Sequence, residues 1–260
     1  MRIIDITSAA NPRLKLAKSL RQRRNRRKYQ QILLEGERLI ADSLSAGICP
    51  ALFFFTPAAQ ARHPQLLARA ADAGAQLLRL PDHLFAQISD TVTPQGVLAV
   101  SPMPQIPPGH RGLALVLDGV RDPGNLGAIL RTAAAADADQ VIVMPGVTDP
   151  WSPKALRAGM GAHFRIAIRP APSAEKALSW LDGHALYFAD AHAPTLYTRI
   201  DWTPASALIL GGETERARMI DLWPQVQPIA IPMARGVESL NVAVAGGVIL
   251  YEAVRQRSKD

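Results

Sequence analysis

The sequence predicts an α/β protein built in two parts, and three observations lead to this prediction. Short apolar segments alternate with helical stretches along most of the 260 residues, a pattern typical of strands and helices packed in layers. A proline-rich segment interrupts the alternation near the middle, and a dense run of basic residues precedes it. We therefore expect a basic arm at 1–28, a small α/β domain at 29–100, a linker at 101–112 and a larger α/β domain at 113–260.

The composition is that of a globular protein. Apolar residues make up 48% of the chain and charged residues 20%, which excludes a chain that is disordered throughout. Cys49 is the single cysteine, so an intramolecular disulfide and a zinc site with several cysteine ligands are both excluded. No apolar run approaches the roughly 18–20 residues of a membrane-spanning helix, and the N-terminus lacks a secretory signal pattern. We expect a cytoplasmic protein that binds no metal and enters no membrane.

The basic arm carries the excess charge. Nine basic residues lie between Arg13 and Lys28, and without them the net charge falls from +7 to −2. Such a segment releases counterions when it meets a phosphate backbone, which favours nucleic acid. Interleaved apolar residues predict an amphipathic helix with one docked side; a solvated face or an acidic membrane is the alternative. The candidate RNA-binding residues are Arg21, Arg23, Arg24, Arg26, Arg27 and Lys28.

The elements of the N-terminal half follow from short apolar runs and helical spacing. The predicted strands are 31–34, 51–55, 76–80 and 96–100, and the predicted helices are 36–46, 65–73 and 81–88. Four of the twelve residues in 101–112 are proline, which opposes both helix and central strand, so this segment is the linker.

The C-terminal half predicts a wound, mainly parallel sheet, because its strand candidates are short and apolar. These strands are 113–117, 140–144, 164–168, 185–189, 207–210 and 229–231, and the helices are 126–137, 153–161, 174–181 and 242–257. Ligands in such sheets bind beyond the carboxyl ends of the strands. The loops that follow Leu117, Leu210 and Ile231 are therefore the candidate site.

Each of the three loops has an ordinary structural interpretation beside a functional one. In the first, Asp122 or Asn125 suits a helix cap, and Arg131 suits an exposed surface position. The Gly124–Gly127 spacing does not fit a dinucleotide-binding turn. In the second, Gly211 and Gly212 allow close approach of a ligand to the backbone, and Glu213 can accept hydrogen bonds.

The third loop ends at a helix. Ser239 and Asn241 lie where capping residues are usual. The helix that follows, 242–257, is apolar enough that we expect it to pack against a partner subunit.

Taken together, the three loops resemble the SpoU/TrmH family of RNA 2′-O-ribose methyltransferases, which belong to the SPOUT class. The first motif is Asp122-Pro-x-Asn125-x-Gly127-x-x-x-Arg131-Thr132. The second is Leu210-Gly211-x-Glu213, and the third is Ile231-Pro232-Met233, Ser239-Leu240-Asn241-Val242 and Leu250-Tyr251-Glu252. Two segments of the N-terminal half, Leu34-Glu35-Gly36 and Thr93-Pro94-Gln95-Gly96-Val97, look like the family's ribosomal-protein-like RNA-binding domain. Thr214, Arg216 and Ala243 depart from the family pattern.

The resemblance implies a C-terminal SPOUT domain with a parallel sheet and a trefoil knot, and a homodimer joined through that domain. It implies S-adenosylmethionine as methyl donor and a ribose 2′-hydroxyl of RNA as acceptor, with large-subunit ribosomal RNA as the expected substrate. The implied reaction-centre residues are Asn125, Arg131, Glu213, Ser239 and Asn241. The implied cofactor-binding residues are Leu210, Gly211, Gly212, Ile231, Met233 and Leu240.

Two alternatives stay open at this point. Transfer RNA is the other possible substrate, although a separate N-terminal domain argues against it. A non-catalytic RNA-binding scaffold with the same fold is the other class of function. It stays open because Thr214 and Arg216 depart from the family pattern. Methyl transfer from S-adenosylmethionine separates the scaffold from the enzyme.

Overall fold

The structure is a computed structural model that describes residues 2–211 and 222–258. Contacts between residues divide the chain into two compact units, 1–105 with 151–164, and 106–150 with 165–260. Residues 151–164 lie inside the predicted domain 113–260 but group with the N-terminal unit, and the predicted linker 101–112 is divided between the two units.

The N-terminal unit is built on a mixed sheet of five strands, β1 (Ile3–Asp5), β2 (Gln31–Glu35), β3 (Leu52–Phe55), β4 (Gln76–Arg79) and β5 (Val97–Pro102). The strand order is β1-β4-β3-β5-β2. β3 pairs in parallel with β4 and antiparallel with β5, and β5 pairs antiparallel with β2. Apart from their ends, β2, β3 and β5 are buried throughout, which explains their largely apolar sequence.

Helices cover this sheet, and the basic arm is one of the segments that fold onto it. Leu14, Ala17 and Leu20 belong to the same buried cluster as Phe54 and Leu98, so the predicted docked side of the arm is present. The helices are α1 (Pro12–Ser19), α2 (Arg23–Tyr29), α3 (Glu37–Ser45), α4 (Pro57–Arg62), α5 (Pro64–Asp72), α6 (Asp82–Phe85) and α8 (Pro153–Gly159), with a 3-10 turn at Ala162–Phe164.

The two N-terminal segments that resemble the family lie beside each other, because the N–H of Gly36 donates to the carbonyl of Val97 at 3.2 Å. The Glu35 carboxylate in the first of them is buried at the end of β2. Its oxygens accept hydrogen bonds from the hydroxyls of Ser89 and Thr91 and from the backbone N–H of Asp90. The Gln95 side chain accepts a hydrogen bond of 3.0 Å from the N–H of Glu37, the first residue of α3. These contacts give the residues a structural role in holding 89–95 against the sheet.

The second unit contains a sheet of six strands, β6 (Leu113–Leu117), β7 (Gln140–Val143), β8 (Ala167–Pro170), β9 (Ala185–Ala189), β10 (Ser206–Leu210) and β11 (Gln227–Ile229). The strand order is β11-β9-β10-β6-β7-β8, and every pair of neighbours is parallel. The α/β fold with a parallel C-terminal sheet is therefore confirmed. The helices of this unit are α7 (Pro123–Ala135), α9 (Ala174–Ser179) and α10 (Val242–Arg257), with a 3-10 turn at Tyr197–Arg199.

Helix α10 lies close against β10, and the Arg257 side chain attaches its last turn to the sheet by hydrogen bonds. A Cβ atom on Gly246 would be 2.7 Å from Leu210 Cδ1, so the helix approaches the strand more closely than any side chain there permits. The Arg257 guanidinium donates hydrogen bonds of 2.6–3.0 Å to the carbonyls of Trp202, Pro204, Arg111 and Gly112. These carbonyls precede β10 and β6, so the hydrogen bonds of Arg257 lie at the amino-terminal edge of the sheet.

Some predicted boundaries were wrong by a few residues. Ser101 and Pro102, assigned to the linker, extend β5 and pair with Ile32 and Gln31. The strand predicted at 164–168 begins at Ala167, because Ala162–Phe164 forms a 3-10 turn. The strand predicted at 229–231 ends at Ile229. β1 and α4 were not predicted.

The Glu252 carboxylate provides a pH-dependent contribution to the stability of α10. Hydrogen bonds from Arg255 first, and from Gln256 second, lower its pKa from 4.5 to about 2. A carboxylate whose pKa is lowered by folding stabilises the folded state fully at pH values above its ordinary pKa. This stabilisation is lost as the pH falls through the lowered pKa. We expect Glu252→Gln to have a lower melting temperature than wild type at pH 7, with the difference shrinking between about pH 4.5 and 2. Carboxyl NMR with a Glu252 midpoint near 4.5 would contradict this.

Two general features of the described chain bear on function. Among residues 2–211 and 222–258, no helix has both the length and the apolar character needed to cross a membrane. In the same residues, no three His, Cys, Asp or Glu side chains come together as metal ligands would.

Candidate active site

A cavity of about 580 Å³ lies at the carboxyl ends of β9, β10 and β11. Its volume falls within the range of small-molecule sites. One wall is α10, which contributes Val242, Ala245 and Ile249, residues spaced so that they share one face of the helix. The position agrees with the rule that parallel α/β sheets bind ligands beyond the ends of their strands.

Most of the predicted cofactor-binding residues line this cavity. They are Leu210, Gly211, Ile231, Met233 and Leu240. Ser239, predicted for the reaction centre, lines it as well. Gly212 and Glu213, together with the departing Thr214 and Arg216, lie outside the described residues.

The first loop is attached to the second by a backbone hydrogen bond. The N–H of Asp118 donates to the carbonyl of Leu210 at 2.9 Å, so the chain leaving β6 passes beside the end of β10. Asp122 then caps α7 by accepting a hydrogen bond of 2.8 Å from the N–H of Asn125. The Asn125 side chain is therefore not needed as the cap and is available for another contact.

That contact is with Asn241, 116 residues away in the sequence. The Asn241 Nδ2 donates to Asn125 Oδ1 at 3.0 Å. The same side chain caps α10, because its Oδ1 accepts from the N–H of Ala243 at 2.9 Å and of Val244 at 3.4 Å. Its sequence neighbours Leu240 and Val242 both line the cavity. The first and third motifs therefore meet at the edge of the cavity.

Arg131 lies farther along α7, exposed to solvent and outside the lining of the cavity. Within 2–211 and 222–258 it makes no side-chain hydrogen bond or ion pair. Its guanidinium is therefore available to a ligand that approaches from outside, such as a phosphate or a hydroxyl group.

Sequence reasoning missed one wall of the cavity. The end of β9 and the loop after it contribute Phe188, Asp190 and His192, and Glu238 lies on the opposite loop. This loop carries no motif that marks it as a site. The feature that places this loop at the cavity is the pairing of β9 with β10, because both strands end at the same edge of the sheet. The order of strands in a sheet cannot be read from the sequence.

The candidate RNA-binding residues of the arm differ in their surroundings. Arg23, Arg24, Arg27 and Lys28 are exposed. Arg21 forms an ion pair of 3.0 Å with Asp90. Arg26 was wrongly included, because it is only 3% exposed and donates to the carbonyls of Leu20 at 2.6 Å and Arg21 at 2.8 Å. Its guanidinium holds the corner between α1 and α2 and cannot reach a phosphate.

Replacing Arg26 with leucine is expected to destabilise the protein by about 3 kcal/mol, because two carbonyls of the corner lose a charged donor. Arg27→Leu, one residue away on the exposed side, is the matched control and is expected to change the free energy of unfolding by less than about 0.5 kcal/mol. Urea denaturation followed by circular dichroism measures both. Equal stability of the two variants would contradict a structural role for Arg26.

Two family comparisons match separate parts of the chain. Residues 112–251 match the SpoU rRNA Methylase family, a range that contains every strand of the parallel sheet and the residues that line the cavity. Residues 11–99 match the MRM3-like substrate binding domain, a range that contains both basic helices and most of the mixed sheet.

Individual relatives match over nearly the full length. An uncharacterized tRNA/rRNA methyltransferase of Synechocystis is 35% identical, and the match covers 98% of this chain and 95% of that protein. The 23S rRNA (guanosine(2553)-2′-O)-methyltransferase RlmP of Bacillus subtilis is 33% identical over 95% of this chain and 97% of its own. The AdoMet-bound rRNA methyltransferase of Sinorhizobium meliloti is 30% identical, with a TM-score of 0.83 over 99% of both chains.

Proposed function

The chain belongs to the SpoU rRNA methylase family, and from this membership we propose that it catalyses 2′-O-methylation of a ribose in large-subunit ribosomal RNA, with S-adenosylmethionine as methyl donor. The observation that carries the proposal is the meeting of Asn125 and Asn241 at the edge of the cavity. It brings two of the three motifs of the resemblance to one place.

The cavity fits the cofactor. Apolar side chains such as Leu210, Ile231 and Leu240 suit the faces of an adenine ring, and the absence of a side chain on Gly211 leaves its backbone groups accessible. The carboxylates of Asp190 and Glu238 suit the positive amino and sulfonium groups. When bound, the cofactor supplies a methyl group on positively charged sulfur, which is already activated for displacement by an oxygen nucleophile.

The residues of the chain then have to position the acceptor hydroxyl and assist loss of its proton. A guanidinium stays protonated at neutral pH and is a poor base. Arg131 therefore acts by binding the phosphate beside the target ribose and stabilising the developing negative charge on oxygen, and water or phosphate takes the proton. Asn125 orients the ribose. Ser239 and Asn241 shape the reaction centre, and the resemblance implies a positioning role for Glu213.

Methyl transfer from labelled S-adenosylmethionine tests the proposal. Ribosomal RNA from cells that lack this protein is expected to accept the label, and digestion to nucleosides is expected to yield a 2′-O-methylated nucleoside. Transfer RNA from the same cells tests the other substrate. Binding of S-adenosylmethionine without transfer to either RNA would contradict the proposal. Binding of RNA without measurable affinity for S-adenosylmethionine would favour the non-catalytic scaffold.

The homodimer is part of the proposal, and the outer face of α10 supports it. Val244, Val248 and Tyr251 are 52%, 36% and 52% exposed, and their spacing places them on one side of the helix. A second copy of the chain would cover this apolar surface. A trefoil knot around the cofactor cavity and a cytoplasmic location complete the proposal.

The variant Val248→Asp tests the dimer. We expect it to sediment as a monomer at concentrations where the wild type sediments as a dimer, because a carboxylate in the interface loses its hydration. Val92→Asp is the matched control, since Val92 is fully exposed in the N-terminal unit. A wild-type protein that sediments as a monomer would contradict the dimer.

A further inference from the structure

Helix α2 presents four cations and one aromatic ring to solvent. The exposed cations are Arg23, Arg24, Arg27 and Lys28, and Tyr29 follows them with 44% of its surface exposed. We refer to these five residues as the α2 surface. In the described part of the chain, no carboxylate pairs with any of the four cations. The positive charge of this surface is therefore not neutralised from within the protein.

The α2 surface is held in a fixed orientation. The guanidinium of Arg26 anchors the beginning of the helix to α1, and Asn25 Nδ2 donates to the carbonyl of Ser19 at 3.0 Å. At the other end, the carbonyl of Gln30 accepts a hydrogen bond of 2.8 Å from the N–H of Met103, which follows β5. A ligand that binds here meets a helix that is already formed and anchored, and does not have to fold a disordered tail.

Tyr29 is the feature that distinguishes this surface from a simple basic patch. The ammonium nitrogen of Lys28 lies 5.1 Å from the centre of its ring, so a cation occupies the place where a flat group would stack. An exposed aromatic ring beside several cations is the arrangement that single-stranded nucleic acid binds, with bases on the ring and phosphates on the cations. Bases inside a double helix are already stacked and do not reach such a ring.

We infer that the α2 surface binds an unpaired nucleotide of the RNA substrate: its base stacks on Tyr29, and the neighbouring phosphates bind Arg23, Arg24, Arg27 and Lys28. On binding, the Lys28 ammonium moves from the ring to a phosphate. This inference rests on the proposed function only in taking RNA as the ligand. It adds that the N-terminal unit selects a loop, bulge or single strand in preference to a regular duplex.

Binding to two RNAs of equal length tests the inference with the full chain. One is an oligouridylate labelled with fluorescein, and the other is a blunt duplex with the same label. Tyr29→Leu is expected to weaken binding of the oligouridylate about tenfold while leaving duplex binding within twofold of wild type. Tyr29→Phe keeps the ring and is the matched control, with affinity for both RNAs close to that of the wild type.

The salt dependence separates stacking from charge. Arg27→Gln is expected to reduce the slope of log affinity against log salt by about 0.7 for the single strand, because one phosphate contact is lost. Tyr29→Leu is expected to leave that slope unchanged. Vesicles of phosphatidylglycerol form a third arm, and stronger binding to these vesicles than to either RNA would overturn the inference in favour of a membrane.

Equal loss of single-strand and duplex binding in Tyr29→Leu, or no loss in either, would also overturn the inference. The melting temperature and the affinity for S-adenosylmethionine of each variant show that the fold is intact. Failure here is distinguishable from failure of the proposed function, because methyl transfer by the wild-type protein is measured without any change at Tyr29.

Discussion

Replacing Arg131 with alanine is expected to lower kcat for RNA methylation by about 10²–10³-fold, the usual effect of removing one donor that stabilises transition-state charge. Arg131 is exposed on α7 and makes no side-chain hydrogen bond or ion pair within 2–211 and 222–258, so little stability depends on it. It does not line the cavity. The dissociation constant for S-adenosylmethionine is therefore expected to change by less than about twofold.

Two further variants make the Arg131 result specific. Arg131→Lys keeps the charge but loses the planar pair of donors, so we expect an activity between those of wild type and Arg131→Ala. Arg199→Ala removes another exposed arginine of the same unit and is expected to keep wild-type kcat. Single-turnover methyl transfer at saturating cofactor measures all three. Wild-type activity in Arg131→Ala would exclude the proposed role.

Variants of Asn241 are expected to distinguish an effect on stability from an effect on catalysis. The side chain makes two contacts, each through a different one of its own atoms. Its Oδ1 caps α10, and its Nδ2 donates to Asn125. Asn241→Ala loses both, so we expect about 1 kcal/mol lower stability and a kcat about 10²-fold lower, the scale of a small misplacement in a reaction centre.

Asn241→Asp is the matched variant for this residue. Aspartate caps helices as well as asparagine does, so we expect wild-type stability. It has no amide donor for Asn125, so we expect the same loss of kcat as in Asn241→Ala. A double-mutant cycle with Asn125→Ala measures the coupling between the two side chains. Additive losses of kcat would contradict a shared role.

Local signals made the helices of the site predictable. α10 occupies the predicted range Val242–Arg257, because a capping asparagine precedes a long apolar stretch. The three loops were located by the ends of apolar strands, and the first loop contacts both of the others. The first cap was left open between Asp122 and Asn125, and Asp122 forms it. That choice depends on where α7 begins, and the helix begins at Pro123.

Features that depend on packing between distant segments were not predictable. Six neighbouring cations of the arm look alike in the sequence, and only the corner between α1 and α2 decides that Arg26 turns inward. The wall at Asp190 and His192 depends on the order of strands in the sheet. Residues 151–164 lie in the chain between β7 and β8 of the second unit, yet they pack with the N-terminal unit.

The placement of residues 151–164 determines how the protein can be divided. Cutting the chain in the proline-rich segment does not yield two self-sufficient fragments. The downstream fragment carries Ala155, Leu156 and Phe164, which are buried in the intact protein, without the partners that cover them. The upstream fragment lacks residues 151–164, so the apolar surface against which they pack becomes exposed. Exposed apolar surface of this kind promotes aggregation, so both fragments are expected to be insoluble, the upstream one because it lacks residues 151–164 and the downstream one because it carries them uncovered.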